Sequence, residues 1–372
     1  MNKRYLYKNR KHDLANTKIK NELENESDSV IHVHQGVVLP LTNKLGGVRD
    51  ANGSFIPESQ YMGDWVKLGG DYTPYKINIS NEQVIFLGFF LKHWGHFIID
   101  AIGRLWILCR EEYAGYKFVY LKEKAVSIDG TYEEFLNYLG IKKEQLIDID
   151  VPTKFNNIII PNLCTNNNYG FTNGYSQIFK RILNNVNIDD IDIPSKIYLS
   201  RTKLKGITKK EFGEKIIEDI FRDNGYEIIF PEELSLKKQI AIFQKAEEIV
   251  CVNGSIPFGI VYANSTLKLV VLNKMSLIHY NLLKLSAVAK IEPVYIDVYK
   301  EPVRCHPRYL GEGPFWIKPG YTLNLFFQDN HLIFNNKKTC EIKYYLKYYY
   351  LFFKNRGKSI IKTFFKSFYS HT

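Results

Sequence analysis

The amino-acid sequence predicts an α/β protein whose second half forms a doubly wound parallel sheet. From residue 196 to residue 272, short apolar runs alternate with helical segments in the order β-α-β-α-β-loop-α-β, which is typical of such sheets. The first half also alternates strands and helices, which indicates an α/β layer structure. With 372 residues, 45% of them hydrophobic, the chain is long enough for two domains with cores of their own.

In the first half, elements are predicted from apolar runs that lie between turn-forming residues. Residues 1–30 are polar, and we expect weak order there. The elements that follow are strands at 29–41, 83–91, 117–121 and 157–160, and a helix at 131–139 that ends at Gly140. The segment Ile188–Pro194 has the composition of an interdomain linker.

The second half shows clearer boundaries. Its predicted elements are strands at 196–200, 226–230, 248–252 and 267–272, and helices at 208–224 and 235–246. Thr208 is predicted to cap the first of these helices, with Glu211 completing a capping box and Gly225 ending the helix. The loop that starts at Asn253 is predicted to open a further helix.

The stretch His93-Trp-Gly-His96-Phe-Ile-Ile-Asp100-Ala-Ile-Gly103-Arg104 carries the strongest functional signal. As a helix it is apolar around most of its circumference, while these five numbered residues share a sector of about 100°. Buried ionisable groups are costly unless they are paired or used, so the stripe predicts a site. The alternative is a structural ion pair of Asp100 with Arg104 beside two core histidines.

A second candidate site is the loop Asn253-Gly254-Ser255, which follows a strand and precedes a predicted helix. Free main-chain N–H groups and the helix dipole favour a phosphate at such a position. Arg201 follows the first strand of this half, where a cation can neutralise a diphosphate. Lys203 and Lys205 follow it, and a solvated run of charges is the alternative explanation for these two lysines.

Metal binding is not expected. Asp148-Ile-Asp150 and Asp190-Ile-Asp192 resemble the Asp-x-Asp pairs that hold a divalent metal, but both lie at turns beside proline, where Asp is common for backbone reasons. The pair His93 and His96 has zinc-ligand spacing without a third ligand nearby. We therefore predict neither a metal nor a cofactor.

The net charge of +11 is concentrated in a basic aromatic tail. Residues 337–372 contain nine Lys or Arg and one acid, Glu341, and alternate these cations with Tyr, Phe and Leu. This composition favours an anionic membrane surface as a partner, and the alternative is a helix packed on the first domain. We expect no nucleic acid, because the rest of the chain is nearly neutral.

The compartment is predicted from the cysteines and from the hydropathy. Five scattered cysteines without a Cys-x-x-Cys pair indicate a reducing compartment. We see no signal peptide and no apolar run of spanning length, so a cytoplasmic protein, peripheral on the inner face of the cell membrane, is expected.

An ordered set of motifs resembles glycosyltransferase family 61, and within it the bacterial branch of capsular polysaccharide biosynthesis proteins. The motifs are His93-x-x-His96-Phe-x-x-Asp100-x-x-x-Arg104-Leu, Leu199-Ser-Arg201, Gly225-Tyr-Glu-Ile-Ile, Leu234-Ser-x-x-x-Gln-Ile-x-x-Phe-x-x-Ala246 and Asn253-Gly-Ser255. Two departures are visible: the family's His-Gly-Ala-Gly is replaced by Asn253-Gly-Ser-Ile256, and Lys203 or Lys205 stands where a second arginine is usual.

The resemblance implies two Rossmann-like domains facing a cleft (the GT-B type) and an inverting glycosyltransferase that uses a nucleoside diphosphate sugar, most of all a UDP-sugar. The acceptor would be a growing capsular, exopolysaccharide or lipopolysaccharide glycan, free or lipid-linked. On this basis we expect four parts: 1–192 as the acceptor-side domain, 193–290 as the nucleotide-sugar domain, 291–336 as a return segment packing on the domains, and 337–372 as the membrane-surface tail.

Within that family, we assign roles from the chemistry that inversion needs. His96 is predicted to be the general base, with Asp100 orienting it and His93 beside it; Asp100 itself is the second candidate for the base. The diphosphate is expected to bind Arg201, Lys205 and the Asn253–Ser255 loop. Glu232 or Glu233 is expected to hydrogen-bond the ribose. The alternative function is a non-catalytic membrane-surface subunit of a polysaccharide assembly complex.

Overall fold

Two compact units make up the chain. The computed structural model describes residues 6–7, 28–63, 66–166, 170–206, 210–303, 306–335 and 341–369, with main chain alone at 166, 170 and 358–369. We call Ala15–Ile191 with Ser235–Ile240 the histidine unit, and Met1–Leu14, Asp192–Leu234 and Ala241–Thr372 the parallel-sheet unit.

Both units contain strands that pair into sheets. In chain order they are β1 (Leu6–Tyr7), β2 (Val30–His34), β3 (Val37–Thr42), β4 (Leu45–Arg49), β5 (Phe55–Ile56), β6 (Tyr61–Met62), β7 (Lys67–Leu68), β8 (Asn78–Phe89), β9 (Lys117–Leu121), β10 (Leu146–Ile147), β11 (Thr153–Pro161), β12 (Thr165–Asn166), β13 (Gly170–Phe171), β14 (Lys196–Leu199), β15 (Glu211–Phe212), β16 (Glu227–Ile229), β17 (Glu248–Val252), β18 (Lys268–Asn273), β19 (Val294–Asp297), β20 (Tyr299–Lys300) and β21 (Phe315–Ile317).

The helices connect and cover these strands. They are α1 (Trp94–His96), α2 (Thr131–Tyr138), α3 (Asn173–Asn185), α4 (Glu214–Arg222), α5 (Leu236–Lys245), α6 (Tyr280–Ala289), α7 (Tyr321–Asp329) and α8 (Glu341–Tyr369). A π-helix spans Phe97–Ala101, and 3-10 helices span Pro57–Ser59, Leu105–Cys109, Glu111–Tyr113, Lys143–Gln145, Pro231–Glu233 and Ile256–Tyr262.

The parallel-sheet unit contains a six-stranded sheet in the order β1-β19-β18-β17-β14-β16, with every pair parallel. α4 leads from β14 to β16, and α5 leads back to β17 on the other side of β14. The strand order therefore reverses between β14 and β17, at the position where open α/β sheets bind ligands. The core beneath this edge includes Tyr198, Val250, Val270 and Phe326.

The histidine unit is built on a sheet in the order β10-β9-β8-β11-β3-β4-β5, with β2 also paired to β11. β10, β9, β8 and β11 are parallel, while β3, β4 and β5 are antiparallel. The chain leaves β8 toward β9 and returns to β11 on the other side of β8. This reversal brings the carboxyl ends of β8 and β11 together as a second switch point.

The α/β fold is confirmed, and most predicted elements agree with the observed ones within a few residues. The predicted strand at 29–41 is wrong in extent, since a turn at Gln35 divides it into β2 and β3. The predicted helix at 208–224 is also wrong at its start. Glu211 lies in β15, which pairs with β21, and α4 begins only after Gly213. The predicted cap at Thr208 lies outside the described residues.

The C-terminal segment is helical. In α8, Tyr348 and Phe352 are buried against Phe212 and Trp316, all within the parallel-sheet unit. This part of the tail therefore packs within the parallel-sheet unit, and packing on the first domain stays a prediction. Among the described residues, no helix combines the length and the apolar character needed to cross a membrane. The GT-B arrangement stays a prediction.

Candidate functional site

The histidine segment is not the continuous α-helix that the sequence predicts. α1 covers three residues only and passes directly into the π-helix Phe97–Ala101. After a turn at 102–104, the chain continues as the 3-10 helix Leu105–Cys109. π-helices occur mostly as single turns within helices and are frequent at functional sites. The widened turn changes the helical register, so the predicted polar stripe from His93 to Arg104 does not exist as one face.

The pair expected from that stripe is nevertheless formed. His96 Nδ1 lies 2.9 Å from Asp100 Oδ2, with the imidazole side chain 30% exposed and the carboxylate 8% exposed. His93 lies at the N-terminal cap of α1, with its ring centroid 4.8 Å from that of His96. A carboxylate on Nδ1 favours the tautomer whose Nε2 can accept a proton. The arrangement therefore suits a general base.

Partial burial, and to a smaller extent the neighbouring His96, lower the pKa of His93 below its ordinary value of 6.5. The shift favours the neutral form of the ring, and a neutral ring beside His96 adds no positive charge to the pair.

An aromatic cluster holds the segment in place. The ring of Phe97 packs edge-on against Tyr132 at 5.0 Å and Phe135 at 5.1 Å, and Trp94 stacks on it at 5.7 Å. Tyr175 donates its hydroxyl proton to the carbonyl oxygen of Ile98 at 2.8 Å. That carbonyl lies inside the π-helix. Packing and a buried hydrogen bond thus fix the main chain on which His96 and Asp100 stand.

Arg104 is buried and is held by main-chain carbonyls. Its guanidinium donates to the carbonyl oxygens of Pro161, at the end of β11, and of Glu58, the latter at 2.5 Å. The predicted Asp100–Arg104 pair therefore does not describe how Arg104 is bound. Burial lowers the pKa of Arg104 to about 10, so it stays charged at neutral pH.

Gly88 makes room for this arginine. A bulge in β8 places Gly88 at φ 91°, and a Cβ there would lie 3.3 Å from Arg104 Nε. A small pocket opens at the same place, lined by Gly88, Phe89, Asp100, Arg104 and Leu163 among others. Asp100 is thus shared between His96 and a pocket at the carboxyl ends of β8 and β11.

The parallel-sheet unit carries a row of buried polar side chains at its own switch point. We call Arg201, Asn253, Asn273 and Asp297 the carboxyl-edge row. Arg201 donates from Nη1 to the carbonyl oxygen of Asn253 at 3.0 Å, Asn253 Nδ2 lies 3.5 Å from Asn273 Oδ1, and Asn273 Nδ2 donates to Asp297 Oδ1 at 3.1 Å. All four residues are 5% exposed or less.

Gly254 is required by the first of these contacts. A Cβ at Gly254 would lie 2.5 Å from Arg201 Nη1, which is closer than real atoms approach. The glycine of the predicted phosphate loop therefore makes room for the guanidinium. Beyond the loop, the predicted helix is present as the 3-10 helix Ile256–Tyr262.

Beneath the row lies a network of buried charges. Arg201 Nη1 is 3.3 Å from Glu211 Oε2, and Lys274 donates to Glu211 Oε1 at 2.5 Å. Glu214 accepts hydrogen bonds from the main-chain N–H of Arg201 at 3.1 Å and from the hydroxyl of Tyr198 at 3.2 Å. A buried arginine with a carboxylate and a carbonyl as partners is neutralised by its own fold.

Burial shifts two members of this network strongly. Burial raises the pKa of the Glu214 carboxyl to about 7, although the main-chain N–H and charge of Arg201 oppose the rise. Burial likewise lowers the pKa of the Lys274 ammonium to about 8, opposed mainly by the charge of Glu211. Both groups titrate close to neutral pH.

The other predicted donor-side residues are more accessible. Lys205 is exposed in the turn after β14, and Lys203 pairs with Glu233 at 3.0 Å. Glu232 is exposed and follows β16, the edge strand beside β14. Ser255 is half-buried at the start of the 3-10 helix. The structure thus brings Arg201 and the Asn253 loop together, while Lys205 and Glu232 remain at the surface.

The Asp-x-Asp motifs lie in surface ion pairs. Asp148 pairs with Lys122 at 2.8 Å, and Asp190 pairs with Lys237 at 3.4 Å. Across the part of the chain that the structure describes, no three His, Cys, Asp or Glu side chains cluster as metal ligands would.

Sequence reasoning missed the buried Lys274, Glu214 and Asp297. Lys274 and Asp297 stand at the carboxyl ends of the apolar strands β18 and β19, a position that is itself a signal for a functional or structural polar group. Glu214 gave no such signal, because its burial depends on where α4 begins.

Residues 94–270 match the family model described as Glycosyltransferase 61. The matched segment covers just under half of the chain, from α1 into β18, and so includes His96, Asp100, Arg201 and the Asn253 loop. No curated protein matches the chain. The match supports the resemblance to glycosyltransferase family 61 and, with it, a glycosyltransferase activity for this protein.

Proposed function

Starting from the match over residues 94–270, we propose that the protein is an inverting glycosyltransferase that uses a nucleoside diphosphate sugar, most of all a UDP-sugar. The acceptor would be a growing capsular, exopolysaccharide or lipopolysaccharide glycan at the cytoplasmic face of a bacterial membrane. The match supports the transfer of a sugar. The donor, the acceptor, the capsular branch and a two-domain GT-B architecture are part of our proposal.

The pair His96 and Asp100 is the observation that carries the proposed chemistry. Nε2 of His96 takes the proton from an acceptor hydroxyl. Asp100 Oδ2, 2.9 Å from Nδ1, accepts the Nδ1–H hydrogen bond and stabilises the resulting imidazolium. The acceptor oxygen forms the new bond to the anomeric carbon as the bond to the diphosphate oxygen breaks. The diphosphate leaves with that electron pair from the opposite face, which inverts the carbon.

The parallel-sheet unit would hold the donor. The main-chain N–H groups of Gly254 and Ser255 and the exposed Lys205 would stabilise a leaving diphosphate, and no metal would then be required. Arg201 would act mainly by holding the Asn253 carbonyl, since its guanidinium is buried and paired with Glu211. Glu232 would accept a hydrogen bond from the ribose.

Two substitutions test the base. His96→Ala and Asp100→Asn should both abolish most sugar transfer while the melting temperature stays close to that of the wild type, because neither removes a large buried group. Near-normal transfer in both variants would refute the assignment. Loss of folding in both would instead indicate a structural ion pair.

The donor is tested by calorimetric titration with UDP, GDP, CMP and their sugars, first in EDTA and then with magnesium. We expect one nucleotide to bind in EDTA, because the proposed diphosphate contacts are main-chain N–H groups and a lysine. Binding that needs magnesium would contradict a metal-independent mechanism and direct attention to the Asp-x-Asp motifs.

One observation favours the alternative, a non-catalytic membrane-surface subunit of a polysaccharide assembly complex. Arg201, the best predicted phosphate ligand, is already engaged by the Asn253 carbonyl and by Glu211. On this alternative no nucleotide would bind under either condition, and the tail would be the functional part. The same titration therefore decides between the two functions.

A further inference from the structure

Helix α8 leaves one apolar face uncovered. Five large side chains on it are between 39% and 70% exposed: Ile342, Leu346, Tyr349, Tyr350 and Phe353. At 3.6 residues per turn, these positions fall within a sector of about 100°. Scattered single exposed apolar residues are ordinary, but a continuous stripe on one helix marks an interaction surface. We call these five residues the outer stripe.

The opposite face of α8 anchors the helix to its own unit. Tyr348 and Phe352 are buried in the cluster that contains Trp316, whose ring is stacked with Tyr344 at 5.7 Å. At the N-terminus of α8, Glu341 accepts hydrogen bonds from Lys318 at 2.6 Å and from Lys300 at 3.2 Å. Because this face is fully used, the outer stripe is held pointing away from the unit's core.

Cations border the outer stripe on both sides. On the helical wheel, Lys343, Lys347 and Lys354 follow one edge of the stripe and Arg356 lies at the other, and all four are exposed. Residues 337–372 contain nine cations and Glu341 as their one acid. Since Lys300 and Lys318 already pair with Glu341, its charge does not offset these cations.

We propose that the outer stripe of α8 docks on the surface of an anionic lipid bilayer. A helix with an apolar face, basic flanks and tyrosines near its edge has the form of an interfacial membrane helix. The apolar side chains would enter the acyl boundary, while the lysines and Arg356 would contact anionic headgroups. The charge of the segment complements such a surface.

Other occupants fit less well. A standard protein–protein interface uses about 20–30 residues a side, far more than the five of the outer stripe. A second copy of the chain docked through the same stripe would bring two sets of lysines together, and like charges oppose such contact. Lipid needs no complementary shape and supplies the missing negative charge.

This inference deepens the proposed function, on which it rests for the place of the acceptor, by naming the surface that brings the protein to a lipid-linked glycan. Its evidence comes from α8 and the residues that anchor it, and does not involve His96, Arg201 or the Asn253 loop. The two proposals can therefore fail separately.

The experiment is flotation of the full-length protein with vesicles of phosphatidylcholine, with and without about 30 mol% phosphatidylglycerol. The wild type should bind the anionic vesicles at least about tenfold more tightly than the neutral ones. The double variant Leu346→Glu/Phe353→Glu should lose about tenfold or more of that binding, because it places two charges on the apolar face. Lys343→Gln/Lys354→Gln should reduce the preference for anionic vesicles.

Ile333→Glu is the matched control, since Ile333 is 73% exposed and lies outside α8 in the same unit. It should bind vesicles as the wild type does. The proposal is overturned if the wild type binds neither kind of vesicle, or if Leu346→Glu/Phe353→Glu binds like Ile333→Glu. A change of oligomeric state in the double variant without a change in vesicle binding would overturn it in favour of a second copy.

A nucleotide titration on the same samples separates this proposal from the proposed function. Nucleotide binding without vesicle binding would refute the lipid surface and leave the glycosyltransferase intact. Vesicle binding without nucleotide binding would support the lipid surface and refute the glycosyltransferase. Melting curves for each variant verify that these exposed substitutions leave the fold unchanged.

Discussion

The histidine unit and the parallel-sheet unit both bring polar side chains to the switch point of a parallel sheet, but they use them differently. In the histidine unit, His96 is 30% exposed and is oriented by Asp100. In the parallel-sheet unit, Arg201, Asn253 and Asn273 are buried and hydrogen-bonded along the sheet edge. The imidazole of His96 is accessible to a reactant, whereas the buried polar groups of the parallel-sheet unit are hydrogen-bonded within the protein.

We infer from this difference that the His96–Asp100 pair takes part in chemistry and that the buried residues of the parallel-sheet unit hold the chain in position. A general base must reach the proton that it removes, so partial exposure beside an orienting carboxylate is the favourable arrangement. A buried charge with several partners instead fixes the shape of the chain around it, and its loss is felt as instability. Position at a switch point therefore does not by itself identify a residue that touches substrate. The predictions below test the contrast.

The largest effect is expected for His96→Ala. Transfer should fall about 10²- to 10⁴-fold, the contribution of a positioned acid–base group, while the free energy of unfolding changes by less than about 1 kcal/mol. Initial rates of sugar transfer and urea denaturation measure the two quantities. His34→Ala is the matched control, because His34 is an exposed histidine in β2. Equal rates in both variants would remove His96 from the mechanism.

Arg201→Met should act on stability first. Removing a buried guanidinium leaves the Asn253 carbonyl without its donor and Glu211 with Lys274 alone, at a cost of about 3–5 kcal/mol. Lys205→Gln, at an exposed position, should change stability by less than about 0.5 kcal/mol and should weaken nucleotide binding instead. The contrast fails if Arg201→Met is as stable as the wild type and has lost nucleotide affinity, since Arg201 would then be a ligand.

Glu214 predicts a pH dependence of stability. Its folded pKa of about 7 lies above its ordinary 4.5, so it binds its proton more tightly when folded. The stability that this gives is present below pH 4.5 and is lost as pH rises through about 7. The shift corresponds to about 3 kcal/mol. Lys274, whose folded pKa is about 8, has the opposite effect on stability, and only at higher pH. The change in stability between pH 4.5 and about 7 therefore comes from Glu214.

Glu214→Gln checks this dependence, because the amide keeps an oxygen for Tyr198 and Arg201 but does not titrate. Urea denaturation from pH 4.5 to pH 7.5 should show the wild type losing about 3 kcal/mol relative to the variant. Parallel curves for the two proteins would contradict the raised pKa of Glu214.

The smallest expected effect concerns His93. Because burial and the neighbouring His96 lower its pKa, its imidazole should titrate by NMR with a midpoint below 6.5. In His96→Ala the midpoint should rise, since the smaller of the two effects that lower it, the like charge of His96, is removed. A midpoint unchanged by His96→Ala would show that the two rings do not interact in solution.

Much of the fold follows from local pattern. The alternation of apolar runs and helical segments after residue 196 predicts the parallel strands, and β17 agrees with its prediction residue for residue. The spacing of His96 and Asp100 predicts their contact, because four residues span about one turn in both α- and π-geometry. Periodicity is local, so a single sequence is enough to detect it.

The tertiary structure decided the roles of residues whose partners are distant in the chain. Glu211 looks like a capping residue in the sequence, but it lies in β15, where its main chain pairs with Phe315. Its carboxylate forms ion pairs with Lys274 and Arg201. Arg201 looks like a phosphate ligand in the sequence, but in the structure its guanidinium donates a hydrogen bond to the Asn253 carbonyl oxygen.

The sequence by itself determined the α/β class, the parallel sheet of the second half and the His96–Asp100 pair, because the pattern that predicts each of them lies in residues that are close in the chain. Only the tertiary structure decided that the histidine segment widens into a π-helix, that Arg104 binds main-chain carbonyls and that one face of α8 stays uncovered. These features depend on which distant groups meet a side chain, since burial and pairing are properties of the packed molecule.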